Sequence, residues 1–148
     1  MFKIQKATIT NIPELCNLLD ILFSQEVEFV PNRALQEQGL QTIIESDSIG
    51  DVYVTTHNEK IVAMVNILYT YSTALGAKVA MLEDIVVEPK CRAQKIGSKL
   101  LSYVVEYLKE EGFKRVTLLT DGDNRQAHNF YEQNGFDVST MVAYRKLL

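Results

Sequence analysis

The sequence has little of several features that mark special classes of protein. Among its 148 residues there are no tryptophans, three prolines and two cysteines. Two cysteines form no disulfide framework, and they suit a reducing compartment. The three prolines and seven glycines are scattered, so no linker divides the chain. We therefore expect a single domain over residues 1–148, because domains commonly contain ~100–150 residues.

Basic residues are scarce relative to acidic ones. Lys and Arg total 15, Asp and Glu total 19, and the formal net charge is −4. Such a chain lacks the broad positive field of non-specific nucleic-acid binders, so no nucleic-acid partner is expected. No apolar run approaches the ~20 residues of a membrane helix, and the N-terminus lacks the apolar stretch of a secretion signal. We expect a cytoplasmic protein without a membrane partner.

The cysteines and histidines form no recognisable metal-binding pattern. Cys16, Cys91, His57 and His128 lie far apart in the sequence, which is not the spacing of a zinc site. We predict no metal. Cys91 borders a basic loop that could lower its pKa, but no histidine or acidic residue is arranged near it in the sequence. A nucleophilic role for Cys91 is therefore not expected.

Apolar periodicity predicts an α/β domain with a mixed sheet. The clearest helix begins at Ile96, because Ile96, Leu100, Leu101, Val104 and Leu108 recur at helical spacing. In chain order we expect strands near 2–7, 51–56, 60–71, 78–87 and 115–120, helices near 12–29, 34–45, 96–111 and 124–134, and one or two closing strands within 136–148.

A basic loop joins the central strand to this helix. It contains Lys90, Arg92 and Lys95. The first amides of a helix have no intrahelical acceptor, and the dipole places about half a positive charge there, so the loop suits a phosphate or pyrophosphate. It is not a Walker loop, because the order at residues 97–99 is Gly-Ser-Lys. An ordinary solvated connection remains the alternative.

Two segments resemble the GNAT superfamily of N-acetyltransferases. The first, RAQKIG at residues 92–97, is similar to the family's Arg/Gln-x-x-Gly-x-Gly/Ala loop, which binds the pyrophosphate of acetyl-CoA through backbone amides. Lys95 stands where the family has its first glycine, and Ala93 stands where glycine is also common. The second, NRQAHNFYEQNGF at residues 124–136, matches Asn-x-x-Ala-x-x-Phe-Tyr-x-x-x-Gly-Phe at every named position.

The resemblance implies one GNAT-like domain, with a mixed, mostly antiparallel sheet flanked by helices and with acetyl-CoA as co-substrate. The residues it assigns to acetyl-CoA are Ile85, Val86, Val87, Arg92, Ala93, Gln94, Lys95, Ile96, Gly97, Ser98, Asn124, Ala127 and Phe130. The lysine at 95 matters if that position requires a positive φ or a close backbone approach. The implied acceptor is a small-molecule or peptide amine, and a homodimer is common in the family.

Acetyl transfer from a thioester to an amine needs a proton acceptor for the amine and a proton donor for the leaving thiolate. Strand alternation would place Glu83 with Ile85, and Asp84 with Leu82 on the opposite face, although a bulge could invert this. The resemblance favours Glu83 as general base, and it carries the general acid over to Tyr131.

Two further questions stay open at this point. Glu26, Glu28, Asp47 and Asp51 could favour a cationic acceptor, or they could be solvated surface residues. The leading function is an N-acetyltransferase that uses acetyl-CoA and direct attack by a primary amine. The alternative is a non-catalytic module on the same fold that binds acyl-CoA or regulates, since a fold does not fix a function.

Overall fold

The computed structural model describes all 148 residues and contains five strands and four α-helices. The strands are β1 (Phe2–Lys6), β2 (Gly50–His57), β3 (Lys60–Ser72), β4 (Ala77–Val87) and β5 (Val116–Leu118). The helices are α1 (Ile12–Gln25), α2 (Arg33–Ile44), α3 (Ile96–Glu110) and α4 (Arg125–Gln133). Short 3-10 helices, Ile9–Asn11 and Pro89–Cys91, precede α1 and α3.

The five strands form one sheet in the order β1-β2-β3-β4-β5. The first three pairings are antiparallel and the pairing of β4 with β5 is parallel. A parallel pair needs a crossover connection, which α3 supplies between β4 and β5. The predicted mixed, mostly antiparallel sheet with flanking helices is confirmed.

The two faces of the sheet carry separate apolar cores. α3 packs on one face, where Leu100 and Leu108 are buried together with Ile67 of β3. α1 and α2 cover the other face, which buries Leu15 and Met64. Full burial of one such side chain contributes ~1.5–3 kcal/mol, so these layers form the rigid frame. All 29 buried residues lie at or before Leu108, and the segment that follows packs more lightly.

A bulge in β4 changes which side chains share a face. β3 pairs Asn66 with Asp84 and its next residue with Leu82, so Glu83 is an extra residue on β4. Leu82 and Ile85 therefore both pack toward α3. Asp84 alternates with Ile85 and faces the α1 side instead. The expectation that Leu82 shares a face with Asp84 is wrong, because strict alternation holds only where no residue is inserted.

The closing strands predicted within residues 136–148 do not form. Residues 137–148 make no backbone–backbone hydrogen bond. Apolar side chains such as Val142 and Tyr144 are exposed there. Without a partner strand, too little apolar surface is buried to offset the entropy of ordering a strand. Among the helices, none is both long and apolar enough to cross a membrane.

Candidate active site

The parallel strands β4 and β5 separate early, and the gap that follows is called the β4–β5 opening. The ladder ends at the pair Leu82–Leu118, whereas β4 continues to Val87. The amide of Glu88 bonds a carbonyl of β3 at 2.8 Å. Backbone groups alternate along a strand, so the amides of Ile85 and Val87 point away from β3 into the opening. These donors lie where β5 no longer pairs with them.

The loop between β4 and α3 is held in a backbone conformation that favours glycine. Ala93 has φ 65° and Lys95 has φ 60°. A side chain in the left-handed region costs roughly 1–2 kcal/mol. Position 95 therefore does require a positive φ, and this chain meets the requirement with a lysine. Strain of this kind collects at functional sites, where the backbone geometry is needed for binding or catalysis.

This geometry leaves a row of amides free at the start of α3. No amide of residues 93–98 donates to an acceptor within the chain, and the amide of Lys99 is the first to bond, to the carbonyl of Lys95 at 3.0 Å. Consecutive amides around left-handed residues form concavities that bind anions. Nε of Arg92 donates to the carbonyl of Val87 at 3.2 Å, which ties the loop to β4. The arrangement fits a pyrophosphate.

The side chains of Lys90, Arg92 and Lys95 form no salt bridge with an acidic residue of the chain. Their positive charge is thus not neutralised locally, and it adds to the positive end of the α3 dipole. An anion bound at these amides would be attracted both by the backbone and by the side chains.

Helix α4 packs directly on the N-terminus of α3. A Cβ added to Gly97 would lie 3.3 Å from two ring carbons of Phe130 and 3.4 Å from Cγ2 of Val87. A side chain at 97 would therefore require Phe130 to shift by a few tenths of an ångström. Nδ2 of Asn134 donates to Oγ of Ser98 at 3.1 Å and to the carbonyl of Phe130 at 2.7 Å. Asn134 thus joins α4 to the start of α3, a role that its place in the sequence did not reveal.

The other cofactor-assigned residues occupy different positions. Asn124 caps α4, and its side chain accepts from the amide of Ala127 at 3.1 Å. Gln94 is exposed in the loop. Ile96 and Val86 are buried in the cores on opposite faces of the sheet. They can contribute only backbone groups to a ligand, and Val86 turns its backbone toward β3.

Tyr131 of α4 follows Phe130 and packs against the core on the α3 side of the sheet. Its ring makes edge contacts with Phe130 and Phe136 at centroid distances of 5.3 and 6.0 Å. Its hydroxyl has no hydrogen-bond partner within the chain. Burial raises the pKa of Tyr131 to about 12, and the carboxylates of Glu26 and Asp84 add to the increase. The phenol is therefore protonated at neutral pH and free to donate.

The charges of Glu26 and Asp84 act on Tyr131, and those of Glu83 and Asp121 act on Glu26. None of these four carboxylates forms a salt bridge. Burial raises the pKa of Asp84 to about 6, and the charge of Glu83 adds to this, whereas a hydrogen bond from Asn66 acts in the opposite direction. Burial also raises the pKa of Glu26, followed by the charges of Asp84, Asp121 and Glu83. The mutual repulsion indicates a site that attracts a cation.

Several other candidates lie outside this constellation. Asp51 accepts from the hydroxyl of Tyr69 and pairs with Lys6, which gives it a structural role. Glu28 pairs with Arg145 of the C-terminal segment. Cys91 packs against the α3 core rather than beside a general base. No group of three or more His, Cys, Asp or Glu side chains is arranged to hold a metal ion.

Comparison with known proteins decides the family. Residues 12–136 match the model of the acetyltransferase (GNAT) family. The chain belongs to this family. It is 29% identical over 124 residues to an uncharacterized N-acetyltransferase of Bacillus subtilis (strain 168), covering 80% of this chain and 81% of that protein. Acetyl transfer is therefore the chemistry of this GNAT chain at the level of the family.

Two further matches name acceptors for other proteins. The GNAT chain is 30% identical over 82 residues to the aminoalkylphosphonate N-acetyltransferase of Salmonella typhimurium, covering 55% of this chain and 53% of that protein. The solved structure of an aminoglycoside N-acetyltransferase in complex with CoA has a TM-score of 0.82 at 16% identity, covering 99% of this chain and 95% of that one. The second match establishes the shared fold only.

Proposed function

We propose that this chain is an N-acetyltransferase that moves the acetyl group of acetyl-CoA directly to a primary amine. The observation that carries the proposal is the asymmetry of the β4–β5 opening. One side presents free amides and basic side chains, and the other presents carboxylates around the free hydroxyl of Tyr131. An anionic acyl carrier and a cationic amine would meet across such an opening.

The cofactor side fits CoA by its donors. The free amides of residues 93–98, with Arg92 and Lys95, would hold the pyrophosphate. The inward-facing amides of Ile85 and Val87 would bond the extended arm as a strand would. Bound acetyl-CoA supplies an activated thioester carbonyl. The absence of a Cβ at Gly97 lets Phe130 of α4 lie close to that site.

The acceptor side fits the proton transfers. An alkylammonium with a pKa of ~10.4 must lose a proton before attack, which costs roughly 4.6 kcal/mol at pH 7. A carboxylate of the Glu83–Asp84 pair removes this proton, and the resemblance to the family favours Glu83. Tyr131 then protonates the thiolate, whose ordinary pKa of ~8.5 lies below that of the phenol. No acetylated cysteine is required.

The charge of the opening also ranks acceptors. Four unpaired carboxylates attract an amine with further positive charges and repel one with a negative group. We therefore place a cationic acceptor, such as an aminoglycoside or an aliphatic polyamine, above an aminoalkylphosphonate. The names of the two relatives include both kinds of acceptor amine, and the negative charges near Tyr131 favour the cationic kind.

The test combines binding with transfer. Calorimetry would measure the affinity for CoA, and mass spectrometry would follow acetylation of spermidine, kanamycin, lysine and 2-aminoethylphosphonate. We expect CoA binding, and acetylated product with a cationic amine. CoA binding without transfer to any amine would favour the alternative, a non-catalytic acyl-CoA-binding or regulatory module. Absence of CoA binding would contradict both the N-acetyltransferase and the acyl-CoA-binding module.

A further inference from the structure

The two carboxylates at the β4 bulge differ in how firmly they are held. Asp84 is half-buried, and its Oδ2 accepts a hydrogen bond from Nδ2 of Asn66 at 3.0 Å. Glu83 is exposed and makes no hydrogen bond or salt bridge. A proton acceptor must keep a productive geometry, and side chains locked by a neighbouring hydrogen bond keep it better than free ones.

Asn66 occupies a position where an apolar residue would otherwise be expected. It is 5% exposed between two fully buried neighbours, Val65 and Ile67. Its Oδ1 is buried and has no partner in the chain. Keeping an amide with an unpartnered atom in an apolar strand lowers stability. The one bond that the side chain makes, to Asp84, accounts for its presence there.

The bulge also sets the direction of Asp84. The inserted Glu83 turns Asp84 toward the α1 face, whereas the basic loop and α3 lie on the opposite face. Glu26, which follows α1, and Tyr131 are close enough for their charges to act on Asp84 or to be acted on by it. Asp84 thus faces the acidic side of the opening, across from the anion site.

We propose that Asp84, positioned by Asn66, is the group that takes the proton from the acceptor amine, in place of Glu83. This inference rests on the proposed acetyl transfer and names its base. Asp84 is the catalytic residue of the pair and Asn66 is a positioning residue, because Asn66 acts through Asp84.

The proton balance is as follows. The ammonium R–NH₃⁺ gives one proton to a carboxylate oxygen of Asp84, and the freed nitrogen lone pair forms the C–N bond to the thioester carbon. The tetrahedral intermediate collapses with cleavage of the C–S bond, and the electron pair stays on sulfur. The hydroxyl of Tyr131 gives its proton to that sulfur and recovers one from the nitrogen of the intermediate. Asp84 releases its proton to solvent, so one proton leaves per amide formed.

The groups that face Asp84 determine the pH at which it works. They are Asn66 on β3, Glu83 on β4, Glu26 after α1 and Tyr131 on α4, with Asp121 next to Glu26. Burial and the neighbouring charge of Glu83 raise the pKa of Asp84 to about 6. A base whose pKa lies near the working pH is efficient in general catalysis.

The kinetic test uses matched amide variants with spermidine as the probe, or with whichever amine of the panel is acetylated fastest. Wild-type kcat/KM should rise with pH through about 6. Asp84→Asn should lose ~10²–10⁴-fold in kcat and lose this acid limb. Glu83→Gln should retain the acid limb and move it to lower pH, since the charge of Glu83 raises the pKa of Asp84.

Asn66→Leu separates positioning from mere packing. The hydrogen bond of Asn66 lowers the pKa of Asp84, so its loss should move the acid limb to higher pH. A purely structural role would change thermal stability and leave the limb where it is. An unmoved limb in folded Asn66→Leu would therefore overturn the positioning role.

A second measurement needs neither acceptor nor variant folding. The side-chain amide resonance of Asn66 in ¹⁵N-labelled wild-type protein reports the ionisation of Asp84, and it should titrate with a midpoint of about 6. A flat resonance would contradict the pairing. If no amine is acetylated while this titration is present, the proposed function fails. If transfer occurs and only Glu83→Gln removes the acid limb, the function stands and the assignment of Asp84 fails.

Discussion

The two sides of the β4–β5 opening differ in the chemical groups that line them, which are backbone amides on one side and side chains on the other. The side proposed to bind the cofactor, called the cofactor side, consists of backbone amides in a strained loop, at Ala93 and Lys95, with positive charge around them. The side proposed to bind the acceptor, called the acceptor side, consists of side chains, with half-buried Asp84 and Tyr131 near further carboxylates. A group common to every CoA can be bound by fixed main-chain geometry. Proton transfer needs side chains whose pKa values are adjusted by burial.

The costs of the two sides differ accordingly. The cofactor side lowers stability through left-handed backbone at non-glycine residues, which does not depend on pH. The acceptor side lowers stability through desolvated carboxylates that repel one another, and this loss of stability depends on pH. Variants on the two sides should therefore separate binding from rate, and pH-independent from pH-dependent stability.

The largest effect is expected on the acceptor side. Tyr131→Phe removes one hydroxyl and keeps the ring contacts with Phe130 and Phe136. If Tyr131 protonates the leaving thiolate, kcat should fall ~10²–10⁴-fold. The CoA affinity measured by calorimetry should be nearly unchanged, because the free amides lie elsewhere. Near-normal turnover would remove the general-acid role and weaken the contrast between the two sides.

The next effect is expected on the cofactor side. Gly97→Asp would place a negative charge and a clashing side chain beside the free amides, and CoA affinity should fall at least ~10-fold, or about 1.4 kcal/mol. Gly97→Ala is the control, since its Cβ meets Phe130 at 3.3 Å but adds no charge. Equal affinity loss in both folded variants would attribute the effect to packing alone.

The pH dependence of stability should come from the acceptor side. The pKa of Asp84 is raised from 3.8 to about 6 in the folded chain. The stability associated with its protonated carboxyl group is therefore fully present below the unfolded-state pKa and is lost as pH rises through about 6. Asp84→Asn cannot ionise, so its free energy of unfolding relative to that of the wild type should increase by about 2 kcal/mol from pH 4 to pH 8. Urea unfolding at both pH values measures this. A constant difference would contradict it.

The smallest effect concerns the strained loop. Lys95→Gly removes a side chain from φ 60°, so the free energy of unfolding should rise by about 1 kcal/mol at every pH. CoA affinity should fall a few-fold through loss of the ammonium, and more at low salt. Thermal unfolding and calorimetry at two salt concentrations provide the readout. A rise in CoA affinity would mean that strain, rather than attraction, is the main effect of Lys95 on binding.

The sequence predicted the parts of the fold that depend on local pattern. The stripe of α3, the strands near 51–56 and 60–71 and the helix near 124–134 follow from spacing and residue type, and they are present. A bulge was anticipated only as a possibility and could not be located at Glu83, because it is set by the register between β3 and β4, which no local pattern specifies. The closing strands failed for a similar reason, since strand formation depends on a partner.

The candidate site was predicted unevenly. The motif makes the loop and Tyr131 candidates, which stay predictions, and it does not give the backbone conformation of Ala93, which departs from what its residue type favours. Asn66 was missed because it lies in the middle of an apolar strand. A lone amide flanked by Val65 and Ile67 is a usable signal, since a buried polar side chain needs a partner.

The central claim is direct acetyl transfer from acetyl-CoA to an amine across the β4–β5 opening. A single-turnover reaction with radiolabelled acetyl-CoA and a cationic amine tests it most directly. Direct transfer should place one label on the amine nitrogen for each CoA thiol released, with no label on the protein at any time. Label trapped on Cys91, or CoA bound tightly with no label moved to any amine, would contradict it.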